Sequence, residues 1–206
     1  MIYDISPPIS ERLAVWPGDT PLRREVLCDM RRGDNITLSS LHATVHLGAH
    51  ADAPIHYGRD AGRIDEQNLD LYIGPCQLIR VAASRHCLVT PDMLTAAVTA
   101  ERILIATDTF PDPEHFNEDF AALSPDLVET LHQHCVRLIG IDTPSVDLFE
   151  SKDLPAHQAC LRCSIAILEG LVLRSVPEGG YELVALPLKL VGFDASPVRA
   201  VLRTIT

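Results

Sequence analysis

Three histidines and one aspartate lie within eleven residues of this chain, at positions whose side chains could bind one ion: His46, His50, Asp52 and His56. Imidazole nitrogens combined with a carboxylate suit zinc or another first-row divalent metal rather than calcium or magnesium. Apolar residues alternate with these polar ones, which indicates a half-buried segment. The stretch therefore predicts a metal site, with a polar surface loop as the alternative.

The spacing of these side chains requires a bent backbone. All four positions share one parity, so a strand would place them on one face. Positions four apart in a straight strand are about 13 Å from each other, whereas each ligand nitrogen lies only about 2.0–2.1 Å from a zinc ion. Gly48 can supply a bend, and Pro54 prevents a regular helix. We therefore predict an irregular turn that wraps around an ion.

Two further ligand candidates, His157 and Glu169, lie far along the chain. Glu169 interrupts the apolar run 165–173, where a lone acid is costly unless it is paired or binds a cation. Gly170 follows directly and indicates a tight turn, which favours a ligand over the alternative, a solvent-facing helix position. Carboxylates at Asp52 and Glu169 could each bridge two ions about 3.5–4 Å apart.

Elements on either side must position these residues. The segments 90–92 and 124–126 each place a hydroxyl, a proline and an aspartate in the order typical of a helix start, which predicts helices over 93–101 and 127–135. The apolar runs 103–107 and 138–141 that follow are typical of buried strands. An Asp-Thr pair stands at the end of each run, and we expect both pairs at one sheet edge, where sites are usually built.

The inventory of elements predicts a mixed α/β (α+β) fold. Further strands are predicted at residues 2–5, 36–45, 76–81 and 181–187. With 206 residues, 47% of them hydrophobic, the chain can bury one large core but is short for two domains. We therefore expect a single domain over residues 1–206.

Charge and composition exclude several classes of partner. A net charge of −11 repels nucleic acid and anionic membrane surfaces at long range. The start of the chain lacks the features of a signal peptide, and no apolar run is long enough to span a bilayer. Six scattered cysteines are too few for a secreted disulfide scaffold, and the pair Cys160 and Cys163 lacks the second pair of a zinc knuckle. We expect a cytoplasmic protein that acts on a small molecule.

The segment 46–56 resembles the H-x-G-x-H-x-D-x-P-x-H signature of the metal-dependent cyclase family. The similarity covers nearly the whole chain, and it is closest to the arylformamidase branch. The segments that carry it are "YDISPPIS" at 3–10, "VWPGDTP" at 15–21, "HLGAHADAPIHY" at 46–57, "IGIDTPSVD" at 139–147, "AHQA" at 156–159, "ILEGLVL" at 167–173 and "YELVALPLKLVGFDASPVRAVLR" at 181–203. The resemblance implies a swivelling β/β/α fold, a homodimer, and hydrolysis of N-formyl-L-kynurenine to L-kynurenine and formate in tryptophan breakdown.

The resemblance also implies a cofactor of two divalent ions, most simply zinc, and assigns the ligands. His46, His50 and Asp52 would bind the first ion. Asp52 would also reach the second ion, which His157 holds, and Glu169 would bridge both. Ions in such a site lower the pKa of a shared water, so that hydroxide can attack the formyl carbon.

Two residues have implied roles at the substrate. His56 would be the catalytic acid/base, since an imidazole can move a proton near neutral pH. Trp16, the only tryptophan, would contact the aryl ring, although packing beside the following Pro-Gly turn is an equally good interpretation from the residues alone. The sequence departs from the family pattern at Ala49 and Gln158, neither of which is an expected ligand.

Three other functions remain possible from the sequence. Cys160 or Cys163 could act as a nucleophile with His157, although nothing nearby indicates a lowered thiol pKa. A metal-storage module would have no use for the spare His56. A sister hydrolase acting on another aryl or cyclic amide would share every ligand and differ only in its substrate pocket.

Overall fold

A computed structural model describes residues 1–205 of the chain. Its strands are β1 (Ile2–Asp4), β2 (Arg23–Cys28), β3 (Leu38–His42), β4 (His50–Asp52), β5 (Ile73–Arg80), β6 (Leu88–Val89), β7 (Arg102–Ala106), β8 (Ala122–Leu123), β9 (Leu138–Ile141), β10 (Ala166–Glu169), β11 (Gly179–Val184), β12 (Ala195–Pro197) and β13 (Val201–Thr204). Its α-helices are α1 (Pro125–Gln133) and α2 (Pro155–Cys163). The predicted mixed α/β class is confirmed.

A nine-stranded mixed sheet organises the fold, in the order β1-β13-β11-β5-β7-β9-β10-β4-β12. The central strands β5, β7, β9 and β10 are parallel, and antiparallel strands extend the sheet on both sides. Every residue of β7, β9 and β10 is buried, which explains their continuous apolar runs. The strands predicted over 103–107 and 138–141 are therefore confirmed.

Each face of the sheet has its own core. Along β7, Ile103 and Ile105 pack with the apolar sides of α1 and α2, whereas Leu104 packs in the core of the opposite face. This alternation is the period of two that a strand buried on both faces requires. The two helices thus cover one face, and the loops and outer strands cover the other.

The helix predicted over 127–135 is confirmed as α1. Its N-cap is Ser124, whose Oγ accepts a hydrogen bond of 3.1 Å from the Leu127 amide, and Pro125 occupies the first turn. The helix begins directly after Ser124, two residues before the predicted range, because the Ser124 side chain satisfies one of its free amides.

The helix predicted over 93–101 is wrong. Only one turn of 3₁₀ helix forms, at Pro91–Met93, and the chain then becomes extended. The hydroxyl of Thr90 donates to a carboxylate oxygen of Asp92 at 2.6 Å.

A tertiary contact explains why the following residues do not form a helix. The Gln77 side chain on β5 donates to the Ala97 carbonyl at 2.9 Å and accepts from the Thr99 amide at 2.8 Å. These backbone groups are thus satisfied by the sheet rather than by a helix, and this outweighs the local helix propensity.

Strands β2 and β3 form a separate antiparallel hairpin. β3 is the part of the predicted strand 36–45 that forms. Large apolar side chains on this hairpin are exposed: Leu27, Met30, Ile36, Leu38 and Leu41. Over residues 1–205, the structure contains no helix of the length and apolar character needed to cross a membrane.

Candidate active site

The segment 46–56 bends as its glycine and proline predict. Gly48 has a φ of +61°, β4 then pairs antiparallel with β10 and β12, and Pro54–His56 forms a 3₁₀ turn. In the β4–β10 register, His50 lies directly opposite Glu169. Strand pairing therefore brings the two halves of the predicted site together.

Gly170 makes a close approach that fixes this pairing. Its φ is +66°, and a Cβ at this position would collide with the Gly48 carbonyl oxygen. The tight turn predicted after Glu169 is confirmed. The turn before β4 and the turn after β10 touch backbone to backbone, which positions the ligand candidates on both strands.

The carboxylates of Asp52 and Glu169 each face two sides of a buried cluster. Asp52 Oδ1 lies 3.1 Å from His46 Nδ1 and 3.4 Å from His50 Nε2, and Glu169 Oε2 lies 3.2 Å from His50 Nε2. Asp52 Oδ2 and Glu169 Oε1 lie 3.4 and 3.5 Å from His157 Nε2. The geometry thus has two sides, with His46 and His50 on one and His157 on the other.

Each of these imidazoles is oriented through its other nitrogen. His50 Nδ1 lies 2.8 Å from the Gly48 carbonyl, His157 Nδ1 lies 2.7 Å from Asp147 Oδ2, and His46 Nε2 lies 2.9 Å from Asp194 Oδ2. Because these acceptors require an N–H, the nitrogens that face Asp52 and Glu169 carry lone pairs when the rings are neutral.

Asp147 and Asp194 are absent from the sequence prediction. Asp147 follows β9, and its carboxylate also accepts the Ala156 and His157 amides at the start of α2. Asp194 directly precedes β12. Both lie in segments that carry the family resemblance, but a single acid in a loop gives no spacing signal of its own.

Charge is strongly coupled within the cluster. Burial opposes protonation of His46, but contacts with the Asp52 and Asp194 carboxylates outweigh it and raise the pKa to about 9. Burial likewise opposes protonation of His157, and Asp147 with Asp52 raises its pKa to about 10. Burial would raise the pKa of Asp52, but His157 and His46 hold it well below its ordinary value. The carboxylates thus attract positive charge into the cluster.

Unsatisfied atoms test whether a cation fits. Within residues 1–205, the buried side-chain atoms without a hydrogen-bond partner are His50 Nε2, both carboxylate oxygens of Asp52, His157 Nε2 and the Tyr72 hydroxyl. All but the last are ligand atoms of the cluster, and contacts of 3.4 Å between them are too long for good hydrogen bonds. Buried acceptors that face one another are costly unless a cation lies between them, so the residues fit a metal.

His56 stands at the edge of the cluster, with its side chain 34% exposed. Its Nδ1 lies 3.4 Å from Asp194 Oδ2, and its ring centre lies 4.3 Å from that of His46. A nitrogen of His56 also lies within 4.8 Å of ligand atoms of His46 and Asp52. His56 could therefore either bind an ion or exchange a proton beside one.

A cavity of about 540 Å³ opens onto the cluster. His50, His56 and Glu169 contribute to its lining on the cluster side, and Trp16 and Phe116 contribute aromatic surface. This volume and this combination of apolar wall and polar floor suit a small molecule with an aromatic ring.

The position of Trp16 is compatible with both of its predicted roles, packing within the protein and contact with a ligand. It packs against Phe149 and Phe116, with ring centres 4.9 and 5.5 Å away, and it also lines the cavity. The following turn has Gly18 at a φ of +94°. Trp16 is thus a supported aromatic surface that a ligand can touch.

The structure contradicts a cysteine nucleophile. Neither Cys160 nor Cys163 lines the cavity. Cys160 is buried in the core beneath the helices, where burial raises the pKa of its thiol. His157, the proposed base, uses one nitrogen for Asp147 and turns the other towards the carboxylates.

Comparison with known proteins identifies relatives of the whole chain. Residues 3–148 match the family model Cyclase, described as "Putative cyclase". A solved structure titled as a potential metal-dependent hydrolase with cyclase activity is 28% identical, with a TM-score of 0.85, over 98% of this chain and 96% of that one. A predicted metal-dependent hydrolase from Bacillus stearothermophilus is 29% identical, with a TM-score of 0.82, over 98% and 97%.

A third structure, isatin hydrolase A from Labrenzia aggregata, is similar in fold. It is 22% identical, with a TM-score of 0.85, over 98% of this chain and 93% of that one. The likeness at this identity concerns the fold alone.

Proposed function

Since the chain belongs to the Cyclase family, we propose that it is a metal-dependent amide hydrolase whose substrate is N-formyl-L-kynurenine and whose products are L-kynurenine and formate. The observation that carries this proposal is the set of buried, unpartnered ligand atoms of His50, Asp52 and His157 beside a cavity with an aromatic wall. The structures titled as metal-dependent hydrolases, at 28% and 29% identity, support the hydrolytic class.

The ligands are proposed as two overlapping sets. His46 and His50 belong to one side of the cluster and His157 to the other, and each carboxylate of Asp52 and Glu169 presents one oxygen to each side. On this division, His46 and His50 would hold one divalent ion and His157 a second, with Asp52 and Glu169 contributing an oxygen to each. Imidazole and carboxylate donors suit zinc.

When bound, such ions supply a water of lowered pKa and a positive charge beside the amide carbonyl oxygen. The chain supplies the proton transfer. His56 takes up the proton that the attacking water loses and delivers it to the amine nitrogen as the C–N bond breaks. Asp194, near His56 Nδ1, favours the N–H on that nitrogen and leaves Nε2 to exchange the proton.

Aryl amides are favoured by both chemistry and shape. An aniline nitrogen leaves more easily than an alkyl amine because its lone pair is delocalised into the ring. Trp16, braced by Phe116 and Phe149, offers an aromatic surface of the kind that stacks on such a ring.

We also propose that the protein is a homodimer. The exposed apolar side chains of the β2–β3 hairpin, Leu27 and Leu41 among them, are 54% and 74% exposed and suit contact with a second copy. Sedimentation equilibrium should give twice the chain mass, and a monomer at micromolar concentration would refute this assembly.

The proposed function is tested by incubating purified protein with N-formyl-L-kynurenine. The absorbance of the kynurenine formed measures hydrolysis. Activity should be present, disappear after treatment with a chelator and return when zinc is added. Isatin, as the alternative substrate, distinguishes a sister hydrolase. If metal binds and isatin alone is cleaved, the site assignment survives and the formamidase assignment is wrong.

A further inference from the structure

One permanently charged cation lines the cavity within the described chain, and it is Arg174. Acidic residues on the same lining are Asp19, Asp108, Asp142 and Glu169. Among residues 1–205, the Arg174 guanidinium forms no salt bridge, since no carboxylate oxygen lies within 4.0 Å of it. Arg174 is exposed, so its unpaired charge on the cavity wall is accessible to a ligand.

The backbone that carries Arg174 is held in place. The guanidinium of Arg80 donates through Nη2 to the carbonyls of Leu173, Arg174 and Val176, at 3.2, 3.5 and 3.2 Å. One nitrogen of Arg80 thus ties three carbonyls of this turn together. Arg174 is therefore presented from a constrained turn rather than from a mobile tail.

Asp108, an acid on the cavity lining, is already paired with another arginine. Asp108 Oδ2 accepts from Arg80 Nη1 at 2.5 Å, and the Asp108 amide donates to Asp142 Oδ2 at 2.8 Å. Asp142 also accepts from the amide and hydroxyl of Thr107. Since Arg80 and Asp108 pair with each other, the positive charge of Arg174 is left for a ligand.

The position of Arg174 relative to the reacting centre suits one bound molecule. Residues 170–173 connect Glu169 in the ligand cluster to Arg174, and all of them line the cavity. Five residues span at most about 17 Å. Since Glu169 and Arg174 line one cavity, a ligand whose amide lies at the cluster can also contact Arg174 when its side chain extends along residues 170–173.

We propose that Arg174 binds a carboxylate on the side chain of the substrate, so that the preferred substrates are aryl amides carrying an acidic group. The assignment rests on the proposed function, and N-formyl-L-kynurenine carries such a carboxylate on its amino-acid end. A guanidinium can hold a carboxylate through two parallel N–H···O bonds. It also offsets locally the repulsion between this carboxylate and a chain of net charge −11.

The test compares two substrates that differ in the amino-acid end, which carries the carboxylate. N-formyl-L-kynurenine and 2′-formamidoacetophenone share the aryl formamide, but the second lacks the amino-acid end. In Arg174→Gln, the ratio of kcat/KM for the first substrate to that for the second should fall about tenfold. This is the lower end of the effect expected for a hydrogen bond to a charged group, because Arg174 is exposed. Arg174→Lys should restore part of the ratio.

Arg203→Gln is the matched control, since it removes the same charge from β13, away from the cavity. It should keep the wild-type ratio. A wild-type ratio in Arg174→Gln would overturn the proposal. An equal fall in both variants would also overturn it, because the effect would then come from net charge.

A binding measurement separates this proposal from the proposed function. L-kynurenine can be titrated against the fluorescence of Trp16, the only tryptophan, which lines the cavity. Even if neither formamide is hydrolysed, weaker binding of L-kynurenine to Arg174→Gln than to Arg203→Gln would support the carboxylate site. Equal binding to both would overturn it.

Discussion

An imidazole can act as a metal ligand only when one nitrogen is free and the ring is held still. In this chain the holding groups are a backbone carbonyl for His50 and carboxylates for His157 and His46. Asp147 is the most buried of these acceptors, and it also accepts two amides at the start of α2. It therefore links the position of the helix to the orientation of His157.

Replacing Asp147 by asparagine should lower zinc affinity about 10-fold to 100-fold, the usual effect of removing the partner of a ligand histidine. The amide keeps an acceptor for the helix but loses the charge that favours an N–H on His157 Nδ1. A chelating dye that competes for zinc measures the change.

Asp126→Asn is a suitable control for this loss, because Asp126 is an exposed acid in the first turn of α1. Its zinc affinity should equal that of the wild type. If Asp147→Asn binds zinc as tightly as this control, Asp147 only caps the helix.

His56→Gln should reduce kcat about 10²-fold to 10⁴-fold while the metal content stays at the wild-type value. The reason is that His56 stands at the cluster edge, 34% exposed, and moves a proton rather than completing the ligand set. Metal analysis together with steady-state kinetics decides between these roles. Loss of bound metal in this variant would instead make His56 a ligand.

At the scale of elements, the site depends on the contact between the turns beside β4 and β10. Gly170→Ala should destabilise the fold and lower metal content, because its Cβ would collide with the Gly48 carbonyl and push β4 from Glu169. Thermal unfolding and metal analysis report the two effects.

Gly192→Ala separates steric collision from backbone strain. Gly192 also has a positive φ, +87°, but a Cβ there meets nothing within 4 Å. This variant should lose only about 1–2 kcal/mol of stability, and its metal content should be unchanged. Equal behaviour of the two variants would mean that the turn contact does not position the ligands.

The sequence predicts some of these elements well because the signal is local. Burying a polar or charged side chain costs free energy unless it has a partner, and this cost is visible within a single segment. It marks the spacing of His46, His50 and Asp52, and it marks Glu169, the lone acid of an apolar run. Ser124 caps its own helix, so α1 is predictable as well. The helix expected after Thr90 fails because Gln77, distant in sequence, takes its backbone hydrogen bonds.

Other parts of the site depend on strand order and cannot be found in one segment. Asp147 and Asp194 meet His157 and His46 only after the sheet has formed, and single acids in loops are common. The expected meeting of the two Asp-Thr pairs is confirmed, since the Asp108 amide donates to Asp142. Parallel β7 and β9 end at the same edge of the sheet.

The whole molecule should show the charge of the cluster in its pH dependence. In the metal-free protein the pKa values of His46 and His157, about 9 and 10, lie above the ordinary 6.5. Their ion pairs stabilise the fold fully below about pH 6.5, and this stabilisation is lost as pH rises through 9 to 10. The melting temperature of metal-free protein should therefore fall between pH 7 and 10.

Zinc-saturated protein is the comparison for this measurement. Because bound metal replaces the protons of His46 and His157, its melting temperature should fall less over the same interval. Parallel curves with and without zinc would show that the two imidazoles do not share their sites with a metal.

The central claim is that one buried cluster holds two ions and that hydrolysis requires both. The most direct test is to add zinc in steps to metal-free protein and to record bound metal and N-formyl-L-kynurenine hydrolysis in the same samples. The account predicts that binding saturates at about two ions per chain and that activity reaches its maximum at the same point. Full activity in the metal-free protein, or saturation of both at a single ion, would contradict it.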